Sequence, residues 1–107
     1  MIALTGAAAV FVVTAYAVGC DVPPGSRTKA GSPPIVGVTA AADPSVLPLG
    51  TTVLVEGLGE RKVHDVGGGV RGRHLDVFVG SCGEARLFGR QRRRVHVLQR
   101  PRPAAAR

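Results

Sequence analysis

The apolar and polar positions fall into short blocks. Residues 10–18 (VFVVTAYAV) are rich in β-branched and aromatic side chains and predict a first strand. Residues 19–34 (GCDVPPGSRTKAGSPP) hold four prolines and three glycines and read as a loop, long enough to carry function. A short apolar strand follows at 35–42 (IVGVTAAA) and runs into the Asp43-Pro44-Ser45 turn. Residues 52–56 (TVLVE) predict a third strand, 57–60 (GLGE) a hairpin loop, and 61–64 (RKVH) the returning strand. After a glycine-rich loop, residues 73–79 alternate as a fifth strand. Ser81 and Glu84 have the spacing of a capping box, which opens a short helix through Phe88, closed by Gly89. A last alternating strand covers 92–98 (RRRVHVL), and 99–107 reads as a basic, disordered tail.

Six short strands and one helix within about ninety residues predict an all-β fold, a small closed barrel that leaves no edge strand exposed. Composition agrees. The 107-residue chain is 45% apolar but has only three Phe, one Tyr and no Trp, so the core must be built from Val, Leu and Ala. The domain is expected to span 10–98. Residues 1–9, the front of an apolar run at 2–13 that no Lys or Arg precedes, read as an export-signal remnant or loose terminus. That run is too short and interrupted to predict a stable membrane span.

The net charge of +7 is uneven. From Arg86 onward there are eight arginines and no acid, while the rest of the chain holds six basic and seven acidic residues. Such a C-terminal region suits a polyanion. It has neither interleaved aromatics nor a nucleic-acid motif, which argues against nucleic acid and leaves a membrane surface, another polyanion, or simply a solvated strand edge and unstructured terminus. Cys20 and Cys82 form no metal-type pair. In an exported protein they suit one disulfide, and in a cytosolic one they would be two small apolar residues.

The chemistry concentrates at 64–78 (HDVGGGVRGRHLDVF), where a glycine loop separates Asp65 from Asp76. Carboxylates gathered in one cleft can do acid–base work, because close like charges raise one pKa into a useful range. Asp43 has an alternative use as a turn residue. Asp76 does not, since an acid inside an apolar strand is disfavoured unless paired or used. Lys29, in the long loop, reads either as a side chain that faces such a site or as an ordinary solvated lysine. His64 and His74 beside the acids raise the question of zinc, but His64 and Asp65 are adjacent on a strand and point to opposite faces, so no metal site is expected. Ser81 is used as a cap and no nucleophile elbow exists, and the glycine run lacks the Lys-Ser/Thr end of a phosphate loop. No cofactor is expected.

Four separate segments carry a family resemblance: TAYAVGC at 14–20, DPSVLPLGT at 43–51, the 64–78 stretch, and SCGEARLFG at 81–89 followed by RRRVHVL. In order and spacing they resemble the 3D domain, named for its three aspartates, over roughly residues 12–98. The family is similar in fold to the catalytic barrel of the membrane-bound lytic transglycosylases and includes stationary-phase-survival-type cell-wall enzymes. The resemblance implies a double-psi β-barrel that acts on peptidoglycan glycan strands outside the cell or within the wall, with the arginine-rich C-terminus expected to adhere to anionic wall polymers. It implies that the three aspartates are Asp43, Asp65 and Asp76. Asp76 would be the general acid and base that cleaves the MurNAc–GlcNAc bond with formation of a 1,6-anhydro ring. Asp65 would orient or tune it, Asp43 would anchor the adjacent turn, and Tyr16 with the Gly67–Gly68 backbone would line the saccharide groove. The alternative is a non-catalytic glycan-binding barrel that uses the same groove.

Overall fold

The computed structural model describes residues 8–101. Six strands and one helix follow in the order β1 (Ala9–Tyr16), β2 (Thr39–Ala42), β3 (Thr52–Val55), β4 (Gly59–Asp65), β5 (His74–Phe78), α1 (Cys82–Phe88) and β6 (Gln91–Gln99). The strands close into a barrel in the spatial order β1-β5-β2-β4-β3-β6. Two neighbouring pairs, β1 with β5 and β2 with β4, are parallel, and the other four are antiparallel. These crossed parallel pairs, in a chain whose hairpins are otherwise antiparallel, give the double-psi arrangement.

The alternation of each strand decides which residues face in. Phe11 and Val13 of β1, Ala40 and Ala42 of β2, Val53 and Val55 of β3, Val63 of β4, Leu75 and Val77 of β5 and Val95 of β6 meet in one buried cluster with Leu47. The small residues of β2, buried along their whole length, let the barrel close tightly around Leu75 and the valines. The intervening residues face outward. On β1 these are Val10, Val12 and Thr14, and on β5 His74 and Asp76. The register sets Val12 against His74 and Thr14 against Asp76.

Several boundaries differ from expectation. The second strand starts at Thr39, because residues 35–38 fold into a turn with Gly37 at φ +81° and the Val38 and Thr39 amides donating to the Ile35 carbonyl. Ile35 and Val36 are consequently exposed rather than buried in the sheet. β4 is longer than expected, since the β3–β4 hairpin turns within residues 56–58 and pairs Val55 with Gly59. The first strand starts at Ala9, one residue inside the expected loose terminus, and pairs there with Val95. β6 extends through Gln99, which pairs with Thr52, so the tail begins later than the composition suggested. Residues 1–7 and 102–107, where the export remnant and most of the tail were expected, lie outside the described residues. The helix matches its capping signal: the Ser81 hydroxyl accepts from the Glu84 amide, and Gly89 ends the helix at φ +65°.

Leu75 is fully buried and belongs to the strand that carries the outward Asp76. Leu75→Ala is expected to lower the unfolding free energy by about 2–5 kcal/mol. Urea denaturation followed by circular dichroism would check it, and an unchanged midpoint would show that the barrel does not depend on this layer.

Candidate active site

The outward face of β5 and its two neighbours forms the floor of a small cavity. Asp76 is flanked on one side by Thr14 of β1 and on the other by Ala41 of β2. Ala41 in turn pairs with Asp65 at the end of β4, across a register shift in the β2–β4 ladder. The two acids therefore stand on either side of one alanine, whose methyl group leaves the space between them open. Tyr16, Asp21, Val22, Ala41, Asp65, Val66, Gly67, Val70 and Asp76 line a cavity of about 170 Å³. Beneath the polar groups lies a second apolar cluster of Tyr16, Ala41, Val70 and Phe78, with the Tyr16 and Phe78 rings 5.1 Å apart.

Asp76 is half-buried, and burial pushes its carboxyl above the ordinary carboxylate value. The Thr14 hydrogen bond and the His74 ring oppose that shift, while the charges of Asp21 and Asp65 add to it. Thr14 Oγ1 donates to Asp76 Oδ1 at 2.8 Å and lies 2.8 Å from His74 Nε2. A hydroxyl has one proton to give. With Thr14 donating to Asp76, His74 must carry its proton on Nε2 and donate to Thr14. Among the described residues, no hydrogen bond is made to the other carboxylate oxygen, Oδ2.

Asp65 is held from three sides. Its Oδ1 accepts from the Lys29 amide at 3.0 Å and from its neighbour Val66 at 2.9 Å, and its Oδ2 accepts from the Tyr16 hydroxyl at 3.3 Å. Burial pushes the Tyr16 phenol well above its ordinary value of 10, and the adjacent Asp65 adds to the shift, so the phenol stays a neutral donor. The Lys29 contribution is thus its main chain. Its exposed side chain is not in the cavity lining. The next residue repeats the contact, with the Ala30 amide donating to the His64 carbonyl at 2.9 Å, and this lays the proline-rich loop along the end of β4.

Asp43 sits outside the cavity lining. Its Oδ2 accepts from the Gly72 amide at 2.8 Å and its Oδ1 from the Ser45 amide and hydroxyl at 3.0 and 2.7 Å. These bonds, that of Gly72 foremost, lower its carboxyl to about 2. The side chain ties the end of β2 to the far end of the glycine loop. Of the glycines, Gly67 lines the cavity, and a Cβ there would come within 2.9 Å of Val70, so its small size lets Val70 fold over the site. Gly72 requires its φ of +66°. Gly68 and Gly69 are exposed with open space around them, and neither lines the cavity. Arg71 is on the rim, its Nε donating to the Gly68 carbonyl at 3.2 Å. His64 is turned away, with Nδ1 3.2 Å from the Thr39 hydroxyl.

Two residues at the site carry no signal in the linear pattern. Thr14 reads as one more β-former in an apolar strand, and its role appears only when the parallel register sets it beside Asp76. Asp21 reads as a loop residue, yet it lines the cavity with Asp65 and Asp76. The chain curls back after β1, with the Ala17 amide donating to Asp21 Oδ2 at 2.9 Å. The structure joins the adjacent Cys20 to Cys82 at the start of α1 in a disulfide, which fixes this turn to the helix.

Comparison with known proteins places this geometry. Residues 38–99 match the family model described as the 3D domain. Over 58 residues the chain is 47% identical to the cell wall-binding protein YocH of Bacillus subtilis (strain 168), a stretch that makes up 54% of this chain and 20% of that protein. Among solved structures, the lytic transglycosylase MltA of Escherichia coli is similar with a TM-score of 0.60 and 27% identity, over 71% of this chain and 28% of MltA. MltA has also been solved with bound chitohexaose. The lytic transglycosylase LtgG of Burkholderia pseudomallei is similar with a TM-score of 0.52 and 25% identity, over 71% of this chain and 27% of LtgG. The chain spans about a fifth to a quarter of the length of these relatives. With the family model covering well over half of its residues, and three aspartates at the ends of β2 and β4 and within β5, the chain belongs to the 3D domain family.

Proposed function

We propose that this barrel is a peptidoglycan lytic transglycosylase domain in which Asp76 serves in turn as general acid and general base. The observation that carries the proposal is the placement of Asp76. It is an outward-facing acid between two buried apolar residues of its strand, half-buried at the floor of a polar cavity, with a carboxyl that burial makes harder to ionise. A carboxyl held protonated closer to neutral pH is what a general acid needs. The likeness to MltA and LtgG supports the same reading, and MltA with chitohexaose gives the class of ligand, a β-linked amino-sugar chain.

In the proposed reaction the Asp76 carboxyl gives its proton to the glycosidic oxygen between N-acetylmuramic acid and N-acetylglucosamine. The bond from that oxygen to the muramic acid C1 breaks. The resulting Asp76 carboxylate takes the proton of the muramic acid 6-hydroxyl as its oxygen bonds to C1 and closes the 1,6-anhydro ring. No water is consumed, and Asp76 ends protonated, ready for the next bond. One carboxyl suffices, in contrast to the pair used by most glycoside hydrolases. Thr14 and the His74 ring behind it hold the orientation of Asp76. Asp65, kept in place by Tyr16 and by the Lys29 and Val66 amides, faces it across Ala41. Asp43 acts at one remove by fixing the glycine loop whose Gly67 and Val70 wall the cavity. The disulfide suits an oxidising compartment and, with the cell-wall relative, points to work outside the cytoplasm in contact with the wall.

A second reading, a barrel that binds glycan without cleaving it, is favoured by the binding role in the name of YocH. The two separate on Asp76→Asn. Under the enzyme reading this variant should release no anhydro-muropeptides from purified sacculi, by mass spectrometry of the soluble products, while still sedimenting with them. If the wild-type chain releases no anhydro-sugar at any pH, the binding reading replaces it. The same variant carries a stability signature. The folded-state carboxyl of Asp76 lies above its ordinary 3.8, so its ionisation weakens the fold as pH rises through the raised value. Asp76→Asn should therefore raise the melting temperature at pH 7, with the gain shrinking as pH falls through the raised value and absent below the ordinary 3.8.

Thr14→Val removes the hydrogen bond that holds the Asp76 pKa down. The alkaline limb of the kcat/KM profile, which follows loss of the acid's proton, should then move to higher pH. A lower rate with no displacement of that limb would mean that Thr14 only packs.

A further inference from the structure

The barrel presents a second charged feature outside the cavity, on the outer face of β6. Arg92 pairs with Val12 and Arg94 with Val10 in the antiparallel β1–β6 ladder, so both arginines share the outward face of the sheet with the residues that lead to Asp76. Val12 is also the partner of His74 on β5. A single row therefore runs Arg92–Val12–His74, and the next row of the β1–β5 pair is Thr14–Asp76. Arg92 is two strands across and two residues along from Asp76, roughly 12 Å at the backbone. It is too far to touch a bond being cleaved at Asp76 and close enough to meet whatever lies alongside. Arg90 is exposed just before the strand, so Arg90, Arg92 and Arg94 occupy alternate positions.

Among the described residues, four arginines are tied to the backbone, whereas Arg90, Arg92 and Arg94, like Arg73, Arg86 and Arg100, are not. It is their alternate spacing into and along β6 that sets Arg90, Arg92 and Arg94 apart. Arg27, Arg61, Arg71 and Arg93 each donate to main-chain carbonyls. Arg93 is fitted closely, donating to the Glu56 carbonyl and to Gln91, and a Cβ on Gly57 would collide with its guanidinium. Among the described residues, Arg90, Arg92 and Arg94 make no side-chain hydrogen bond, and the one ion pair joins His96 to Glu56. Arg92, Arg93 and Arg94 line an open depression of about 490 Å³ with Val10, Glu56 and Gly57, and Val10 is half-exposed at its side. Unpartnered guanidinium groups two residues apart, roughly 6.6 Å along a strand, present repeated bidentate donors to an extended polyanion.

We infer that the outer face of β6 is a docking strip for a linear phosphodiester polymer lying beside the glycan groove, with Arg92 and Arg94 as its contact residues. Phosphate geometry suits the guanidinium fork, and a row of like charges suits a repeating anion better than a single carboxylate. No aromatic side chain lies on the strip to stack a base. Phe11, Tyr16 and Phe78 are buried, and Phe88 belongs to α1, which favours a polymer without bases over nucleic acid. The strip belongs to the folded barrel, in contrast to the expected role of the C-terminal tail.

The test compares purified bacterial walls that retain their covalently attached phosphodiester polymer with the same walls stripped of phosphate by acid. In cosedimentation, the 107-residue chain should bind the intact walls at least tenfold more tightly at low salt, with the difference lost at high salt. Arg92→Gln with Arg94→Gln should erase the preference, roughly tenfold per arginine, while the double Lys variant keeps part of it. The Gln variant should release anhydro-muropeptides from stripped walls as the wild type does, and Asp76→Asn should keep the preference for intact walls. The inference is overturned if the Gln variant still prefers intact walls, if Asp76→Asn abolishes the preference, or if duplex DNA at equal phosphate competes better than the free polymer. Because binding and product release are read separately, failure of the strip and failure of the enzyme reading give different results.

Discussion

The site rests on the register of β5. This strand is parallel to β1 on one side and antiparallel to β2 on the other, and both pairings converge on Asp76, opposite Thr14 and Ala41. Because side chains alternate faces, a slip of one residue would carry Asp76 into the barrel core and Leu75 out to solvent. Leu75 and Val77, buried on either side of Asp76, exclude that slip. The interior of the barrel thus fixes the position of a group on its exterior. The polar partners then follow from neighbouring strands: a hydroxyl from β1, an imidazole two residues earlier on β5, and a second acid beyond Ala41.

The loops are attached to this frame chiefly through main-chain amides. Asp65 accepts from Lys29, and Asp43 accepts from Gly72, so two carboxylates that the linear pattern would treat alike hold two different loops. The carboxyl of Asp43, at the protein surface, is lowered by the Gly72 amide and by the Ser45 hydroxyl and amide, whereas Asp76 is half-buried and its carboxyl is raised. Three acids of one chemical type are therefore divided by environment into an anchor, a held neighbour and a carboxyl that burial makes harder to ionise. The disulfide adds a further constraint by fixing the turn that carries Asp21 to α1.

The strands and the helix were largely legible because alternation and capping are local signals. The Ser81–Glu84 box, the valine-rich runs and the conflict of an acid at position 76 with its apolar surroundings could all be read directly. Where local reading failed, a distant partner or one backbone angle decided. Residues 35–38 have strand composition, but Gly37 at positive φ turns the chain. Gln99 looks like tail and is held in the sheet by Thr52. Lys29 reads at most as a side-chain contact in the linear pattern, but it is its amide that meets Asp65. Gly68 stood in the same run as Gly67, yet only Gly67 meets the cavity. Thr14 and Asp21 were invisible as site residues, since one needs the parallel register and the other a chain reversal before it reaches the acids.

The same outward face that holds Asp76 continues without a break across β1 to the arginines of β6. Near Asp76 the face carries acids and an apolar floor, while across β1 it carries unpartnered cations. A wall fragment laid over it, as the two proposals require, would meet carboxyl groups at one end and guanidinium groups at the other. In a barrel this small, Asp76 and the arginines are carried by alternate residues of β5 and β6, with only β1 between them. Changing the arginines alters only groups that point away from the core, so the strip can vary in charge while the buried residues that hold β5 in register stay unchanged. The acid at position 76 has no such freedom under the proposed function, because the raised carboxyl that a general acid needs comes from the partial burial that makes its charge unfavourable.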